Sequence, residues 1–548
     1  MRQLKEQDRH IGNFIHNLSA LFDHDLRCLL RCFPNKVLHQ LTCLCGDSDC
    51  EILGIVKLHP VPGVAKGANA RGDFFDGHGR IKAPAGPDCK WSPTSVLADS
   101  RKKRLNTAVI YASMLYSFRL ALISAAACST LSAQITTTPL FWPDKNGPTY
   151  DGVVPAAEAA RLPLKWNAEL GENIVWKTDL EGDGHSTPVI GGDRVWFTAA
   201  TEDGKKMYVY GIDRLSGKIV HHILLFENAD PEILGNPLNN YAAPSPVLEA
   251  DALYVHFGTY GTARLDPQTG KTVWQRRDIN ARHFRGPGSS PILHRELLIL
   301  TFDGIDQQYV TALDKKTGTT VWKTSRTTDY GDLDKEGKPT RDGDMRKAYH
   351  TPSVFDLAGK STLVSVGSRA AFGYDVATGK ELWTIRHGGF NAAIRPLIHQ
   401  KMLILNTGSE RAHTLGVRID DKMSGDITES HVVWDREKRN ASESCSVLAS
   451  ALLFQTTRGG IVTCMNPQTG ADVWEDRFPG QHLPSPIAAA DRLYFSNDRG
   501  DTRVIRAADK FEILAENKLP DAMTSAPAVA DGAIFIRTKK QLFKIASK

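Results

Sequence analysis

One turn motif recurs along the chain, and this repetition constrains the fold more than any other feature. The clearest copy is ALDKKTGTTVW at residues 312–322, where one apolar strand ends at Leu313 and another begins at Val321. Asp314 can accept hydrogen bonds from the backbone of the turn, and Gly318 can adopt the positive φ that the turn requires. Further copies begin at Gly211, Arg264, Gly373, Cys464 and, in degraded form, Ala507. The motif predicts a series of β-hairpins.

A second motif alternates with the first. It consists of small or polar residues, often with proline, followed by an apolar strand. Its eight copies begin at His185, Ala243, Gly288, His350, Ile394, Ser442, Leu483 and Ser525. Together the two motifs supply four short strands per unit, and eight units over residues 166–548 average about 48 residues each. We therefore predict an all-β, eight-bladed β-propeller of four-stranded antiparallel blades.

The two ends of the repeat region are complementary. Residues 541–546, QLFKIA, resemble a third strand that no tryptophan strand follows. Residues 173–179 contain a tryptophan strand that no third strand precedes. Pairing these segments would complete one blade from both ends of the repeat region and remove two exposed strand edges. We expect the ring to close in this way.

The A-x-D-x-x-T-G-x-x-x-W pattern resembles the tryptophan-docking motif of pyrroloquinoline quinone (PQQ) repeat propellers, over about residues 142–548. That family includes quinoprotein dehydrogenases, the non-catalytic propeller lipoprotein of the outer-membrane β-barrel assembly machinery, and secreted PQQ-like proteins. The resemblance implies that the tryptophans hold blades together and do not contact a cofactor. The residues expected in this docking role are Trp176, Trp274, Trp322, Trp383, Trp434 and Trp474.

Residues 1–113 lack the repeats and contain six of the nine cysteines. Cys43, Cys45 and Cys50 do not have the paired spacing of a zinc knuckle. We interpret the segment as a non-native upstream extension that is largely disordered.

A signal peptide is predicted at residues 114–133. Arg119 supplies the positive region, residues 120–131 are mostly apolar, and Ser132 and Ala133 form a small-residue cleavage site. We expect export to the periplasm or the medium. Cys128 lacks the Leu, Val or Ile three residues earlier that a lipoprotein signal prefers, so lipid anchoring is not expected.

Residues 134–165 are predicted to be an extended lead-in that packs across the propeller. Two insertions, residues 226–241 and 326–349, interrupt the blades. Asp332 and Asp334 resemble the start of a calcium loop, but Gly343 stands where its last ligand, a glutamate, should be, so no metal site is expected. Cys445 and Cys464 could form a disulfide or remain free buried thiols.

In a propeller, the loop that enters each innermost strand opens onto the central funnel. A funnel rich in histidine and arginine would suit a small anionic ligand or a peptide carboxylate. The alternative is that these side chains only cap strand ends. The candidate ligand-binding residues are His185, Tyr241, Arg285, His350, Arg395, Glu443 and His482.

The sequence favours a binding scaffold for a peptide, a protein partner or a small anionic ligand over a catalyst. It lacks the adjacent Cys-Cys pair of quinoprotein alcohol dehydrogenases and a Cys-x-x-Cys-His haem motif. A PQQ-dependent periplasmic dehydrogenase using PQQ with calcium is the alternative. The scattered net charge of +5 argues against nucleic-acid binding, and the mean hydropathy of −0.29 argues against a multi-span membrane protein. We expect a monomer.

Overall fold

The computed structural model of the protein describes residues 138–409 and 411–547, and these form the predicted eight-bladed β-propeller. Eight sheets of at least four strands each, antiparallel except for one edge pairing, account for nearly all of its regular structure. Within the described ranges no helix has the length and apolarity needed to cross a membrane. The predictions for residues 1–113, for the signal peptide at 114–133 and for Cys128 fall outside the described residues.

Each blade begins with a short strand at the centre of the ring and runs outward. The innermost strands are β3 (Val189–Gly191), β7 (Val247–Glu249), β11 (Ile292–His294), β15 (Ser353–Leu357), β19 (Leu397–His399), β24 (Val447–Ala449), β28 (Ile487–Ala489) and β32 (Ala528–Ala530). The second strands are β4 (Arg194–Ala200), β8 (Ala252–His256), β12 (Leu297–Asp303), β16 (Lys360–Val366), β20 (Met402–Asn406), β25 (Leu452–Thr456), β29 (Arg492–Ser496) and β33 (Ala533–Arg537).

The third and fourth strands complete the blades toward the rim. The third strands are β5 (Lys206–Asp213), β9 (Thr262–Leu265), β13 (Gln308–Asp314), β17 (Ala370–Asp375), β21 (Thr414–Arg418), β26 (Ile461–Met465), β30 (Asp501–Arg506) and β34 (Gln541–Ala546). The fourth strands are β6 (Ile219–Glu227), β10 (Thr272–Arg276), β14 (Thr320–Ser325), β18 (Glu381–Arg386), β23 (Val432–Arg436), β27 (Asp472–Arg477), β31 (Ile513–Lys518) and β2 (Ile174–Asp179).

Two blades carry a fifth strand. β1 (Leu140–Trp142) pairs antiparallel with the innermost strand β3, and β22 (Gly425–Asp426) pairs in parallel with the outer strand β18. Two short helices, α1 (Ala156–Ala159) and α2 (Thr428–His431), lie in connecting segments, as do 3-10 turns at Gly258–Tyr260 and Thr340–Arg346.

The ring closes as the sequence predicts. β2 pairs with β34, from Ile174 opposite Ile545 to Asp179 opposite Gln541. The eighth blade therefore takes its outer strand from the start of the repeats and its other three strands from their end. This shared blade leaves neither terminal strand with an unpaired inner edge.

The repeated turn joins neighbouring blades as well as neighbouring strands. The Asp314 carboxylate accepts hydrogen bonds from the backbone N–H of Lys316 and of Thr317, at 3.1 and 2.8 Å. Gly318 has a φ of +73°, and a Cβ at this position would lie 2.8 Å from the Trp274 ring of the preceding blade. The Trp274 indole N–H donates to the Lys315 carbonyl at 3.1 Å. The indole therefore spans a junction between blades.

The second motif links the blades around the centre through hydroxyl groups. The side-chain oxygen of Ser245 accepts a hydrogen bond from the Thr187 N–H at 2.8 Å, and that of Ser290 accepts from the Ser245 N–H at 2.9 Å. Thr351 and Ser485 act in the same way toward their preceding blades, and Thr187 accepts from the last blade. At the other three equivalent positions the residue is Arg395, Cys445 or Ala526, which offers no hydroxyl. The small polar residues of this motif thus have a structural role.

The two cysteines of the propeller, Cys445 and Cys464, are buried free thiols, so the disulfide alternative is wrong. Asp332, one of the residues that resemble a calcium loop, is instead paired with Arg346 at 2.6 Å.

Candidate functional site

The segment of residues 138–155, which we call the plug, lies in the central channel. Its strand β1 pairs with β3, and Pro143 accepts a hydrogen bond from the Leu248 N–H at 2.9 Å. The Val154 N–H then donates to the Ala488 carbonyl at 2.8 Å. If the blades are numbered in chain order from the one that contains β3, the segment contacts the innermost strands of blades 1, 2 and 7.

The plug borders two cavities. Lys145 lines a cavity of about 340 Å³, and Tyr150 with its neighbours lines another of about 390 Å³. The first cavity, which we call the funnel cavity, receives residues from all eight blades, each just before an innermost strand. One lining residue from each blade, in chain order, is His185, Ser245, Arg285, Tyr349, Asn391, Glu443, Leu483 and Thr524. Its volume lies within the range of small-ligand pockets, about 300–1,000 Å³.

Three of the predicted residues, His185, Arg285 and Glu443, line the funnel cavity. Burial lowers the pKa of His185 to about 4, so its imidazole is neutral at pH 7. Arg285 is paired with Asp344, with 2.5 Å between Nη2 and Oδ2. Glu443 accepts a hydrogen bond from the Ser442 hydroxyl. Whether these residues bind a ligand remains a prediction.

Three other predicted residues are buried away from the funnel cavity. The Tyr241 hydroxyl donates to the Glu232 carbonyl at 2.8 Å, and the ring packs edge-on against Tyr260. His350 is fully buried, and its Nε2 accepts a hydrogen bond from the Val366 N–H at 2.9 Å. Burial holds the pKa of His350 well below its usual range. His482 is also buried, with its Nε2 3.2 Å from the Pro479 carbonyl oxygen.

The seventh predicted residue, Arg395, anchors the plug. Its Nη1 lies 2.6 Å from the Asp144 Oδ1, and the two side chains are only 4% and 2% exposed. Arg395 lines the second cavity, where its guanidinium lies over the Tyr150 ring. The arginine that replaces a hydroxyl residue in the second motif thus binds a partner outside the blades.

Lys145 is the most prominent of the site residues that sequence analysis did not identify. It extends from the plug into the funnel cavity, and among the residues that the structure describes no acceptor contacts its ammonium group. Its neighbours Asp144 and Asn146 are buried, whereas Lys145 is only half-buried. The sequence signal is the polar turn Asp144–Gly147, which directly follows the apolar residues 140–143.

The lining of the funnel cavity is positively charged. It contains Lys145, Arg285 and Arg458 but only one carboxylate, Glu443. Arg458 lies 3.9 Å from that carboxylate and donates to the Gln481 side chain at 2.9 Å. Because Arg285 is paired with Asp344 and Arg458 lies beside Glu443, Lys145 is the lining cation that is available to an anionic ligand.

A metal-bound quinone does not fit this donor set. Residues 138–409 and 411–547 bring together no three His, Cys, Asp or Glu side chains in an arrangement that could hold a metal ion. The funnel cavity supplies a single carboxylate, Glu443, already bonded to Ser442. We therefore derive no chemistry through PQQ or calcium.

Comparison with known proteins identifies relatives across the propeller. A family model described as "Outer membrane protein assembly factor BamB" matches residues 144–303, 306–440, 426–512 and 458–547. The tetrathionate hydrolase of Acidithiobacillus ferrooxidans is 22% identical over 401 residues, which are 67% of this chain and 73% of that protein.

Two solved structures resemble the chain. A europium-containing methanol dehydrogenase superposes with a TM-score of 0.54 at 11% identity, over 74% of this chain and 98% of that one. The quinohemoprotein alcohol dehydrogenase of Comamonas testosteroni gives a TM-score of 0.52 at 13% identity, over 76% and 82% of the two chains. At such low identity the likeness shows the propeller fold alone.

Proposed function

The chain belongs to the family of the outer membrane protein assembly factor BamB, and from this premise we propose that it is an exported binding protein whose funnel cavity captures an anionic ligand. The observation that carries the proposal is the Lys145 ammonium, which lies in the cavity without a partner among the described residues. A ligand carboxylate or oxyanion in the cavity could accept a charge-assisted hydrogen bond from this ammonium group.

The name of one relative is consistent with this ligand class. Tetrathionate, the substrate named for the Acidithiobacillus ferrooxidans hydrolase, is a divalent anion. We propose binding of an anion, and not its hydrolysis, for the present chain, because the Lys145 ammonium supplies the interaction that binding requires. His185, the histidine of the lining, has its pKa lowered to about 4 by burial and is a weak base.

The test is calorimetric titration of the purified protein with sodium tetrathionate and with sodium sulfate at constant ionic strength. We expect saturable binding of at least one anion, and a loss of about tenfold or more in affinity for Lys145→Met, because hydrogen bonds to charged groups contribute about 1.5–3 kcal/mol. Lys177→Met, which removes an exposed lysine of the outer strand β2, is the matched control. Equal affinities of Lys145→Met and the unaltered protein would refute the proposal.

The dehydrogenase alternative has its own measurement, a PQQ titration with and without calcium, followed by absorbance and thermal shift. We expect no calcium-dependent stabilisation, because the funnel cavity lacks a carboxylate set. PQQ carries carboxylates, so weak binding that is independent of calcium and lost in Lys145→Met would agree with the anion site. Saturable binding that requires calcium would instead favour a dehydrogenase.

We also propose a periplasmic or secreted location, with a peptide, an envelope protein or a small molecule as the ligand. The predicted signal peptide supports this location, as does the name of the family. N-terminal sequencing of the protein from its native source should show Gln134 as the first residue. Recovery of any peptide from residues 1–113 would contradict the interpretation of that segment as an upstream extension.

A further inference from the structure

The charges of the funnel cavity suit a ligand with a single negative charge. Lys145 is the lining cation available to such a ligand, and the Glu443 carboxylate of the same lining is partly exposed. A second negative charge would find no further unpaired cation among the described lining residues, and it would be repelled by Glu443. The remainder of the ligand is therefore expected to be uncharged.

An apolar side chain borders the same cavity from the first insertion. Leu238 lines the funnel cavity, and 39% of its surface is accessible. Its N–H donates to the Asn236 side-chain oxygen at 2.8 Å. The next residue, Asn239, donates through Nδ2 to the carbonyls of Arg285 and Pro287, at 2.9 and 3.0 Å. These bonds hold the backbone on both sides of the leucine.

The insertion is also attached to the loop that enters blade 3. The Gly235 N–H donates to the Phe284 carbonyl at 2.7 Å, and the Phe284 N–H donates to the Glu232 carboxylate at 2.8 Å. Glu232 also forms an ion pair with Arg282 at 3.1 Å. Because the insertion is bonded both before and after Leu238, this leucine is a fixed part of the cavity lining.

Other blades add apolar surface to the lining. Blade 2, which directly follows the insertion, contributes Ala243, and blades 5 and 7 contribute Ala393 and Leu483. Leu483 is only partly buried. None of these side chains can form a hydrogen bond, so an alkyl group can replace water beside them at no cost in hydrogen bonds. Ligand pockets typically combine such a lining with a few polar groups that orient the ligand.

The cation and the leucines together define a class of ligand. We propose, on the basis of the anion-binding function above, that the funnel cavity binds an aliphatic monocarboxylate. The carboxylate accepts a hydrogen bond from Lys145 Nζ, and the alkyl chain contacts Leu238 and Leu483. The cavity volume of about 340 Å³ lies at the lower end of the range for small-ligand pockets, which favours a short chain.

The test is calorimetric titration with sodium acetate, butanoate, hexanoate and tetrathionate at constant ionic strength, with weak ligands measured by competition. We expect the affinity to rise at least tenfold from acetate to hexanoate, because each fully buried methylene contributes about fourfold. Lys145→Met should weaken hexanoate binding about tenfold or more. The double variant Leu238→Asn with Leu483→Asn should weaken hexanoate about fivefold or more and leave acetate within about twofold.

Ile233→Asn is the matched control, because Ile233 belongs to the same insertion and is 87% exposed but does not line the funnel cavity. Thermal melting of each variant checks that it folds. Equal affinities for acetate and hexanoate, or a hexanoate affinity that the double variant does not lower, would overturn the inference. If tetrathionate still binds through Lys145, the proposed function stands. Absence of binding by every anion would overturn the proposed function as well.

Discussion

At the scale of single residues, the pair of Asp144 and Arg395 connects two parts of the chain that are 251 residues apart in sequence. Arg395 occupies a position that holds a hydroxyl residue in most other blades. Its side chain bonds to the plug, whereas those hydroxyl groups accept a hydrogen bond from the preceding blade. Both side chains are almost fully buried. Such a pair is costly to break from one side, because the remaining charge is left without water or a partner.

We predict that Asp144→Ala lowers the free energy of unfolding by about 3–5 kcal/mol, because it leaves the Arg395 guanidinium buried and unpaired. Replacement of both residues, Asp144→Leu with Arg395→Met, should lower it by less than the single change does. Equilibrium urea unfolding measures both effects. A loss below about 1 kcal/mol for Asp144→Ala would mean that the pair does not hold the plug.

At the scale of the structural element, the repeated turn supports both its own hairpin and the tryptophan of the preceding blade. Gly318 combines a φ of +73° with close contact to Trp274, and Gly379 has the same relation to Trp322. By contrast, Gly337 in the insertion has a φ of +76° with nothing within 4 Å of a Cβ. Comparing substitutions at Gly318 and Gly337 therefore separates the cost of backbone strain from the cost of disturbing the contact between blades.

We expect Gly337→Ala to cost about 1 kcal/mol of stability, from the left-handed conformation alone. Gly318→Ala should cost about 1–3 kcal/mol more, because its methyl group also displaces the Trp274 ring. Thermal or urea unfolding of the two variants under the same conditions provides the comparison. Equal losses would show that tryptophan docking at this junction contributes little to stability.

At the scale of the whole molecule, the propeller encloses many neutral histidines. His256, His283 and His350 are at most 8% exposed. Burial lowers the pKa of His256 to about 3 and that of His283 to about 4, and it holds that of His350 well below its usual range. These side chains remain uncharged in the folded protein at pH values where they are protonated in the unfolded chain.

We therefore predict that stability falls as the pH is lowered from 7 to 5. Each folded-state pKa lies below the unfolded value of about 6.5, so the unfolded chain binds more protons in this window and gains free energy. The expected loss is about 2 kcal/mol for each of the three histidines. Urea unfolding at both pH values measures it, and a stability that does not change across this window would refute the prediction.

The architecture of the whole molecule was predictable because the signals that specify it are local and repeated. The Asp-to-Gly turn, the tryptophan strand and the second motif each fit within about a dozen residues. The period at which they recur gives the number of blades. The closing strand could also be predicted, because QLFKIA lacks a partner within its own unit. Hydrogen bonding within each blade then leaves few alternative arrangements.

The candidate site was only partly predictable, because a shift of one residue along extended backbone turns a side chain to the opposite side. His350 and His482 are buried, whereas their neighbours Tyr349 and Leu483 line the funnel cavity. No pattern in the sequence distinguishes the members of these pairs. Their orientation depends on how eight loops converge at the centre.

The sequence by itself determined an eight-bladed ring closed by its terminal strands, because that information is carried by short motifs at a regular period. Only the tertiary structure decided that residues 138–155 fill the channel, that Asp144 pairs with Arg395, and that Lys145 enters the funnel cavity. These contacts join residues hundreds of positions apart and depend on the shape of a channel that exists only after all eight blades have assembled.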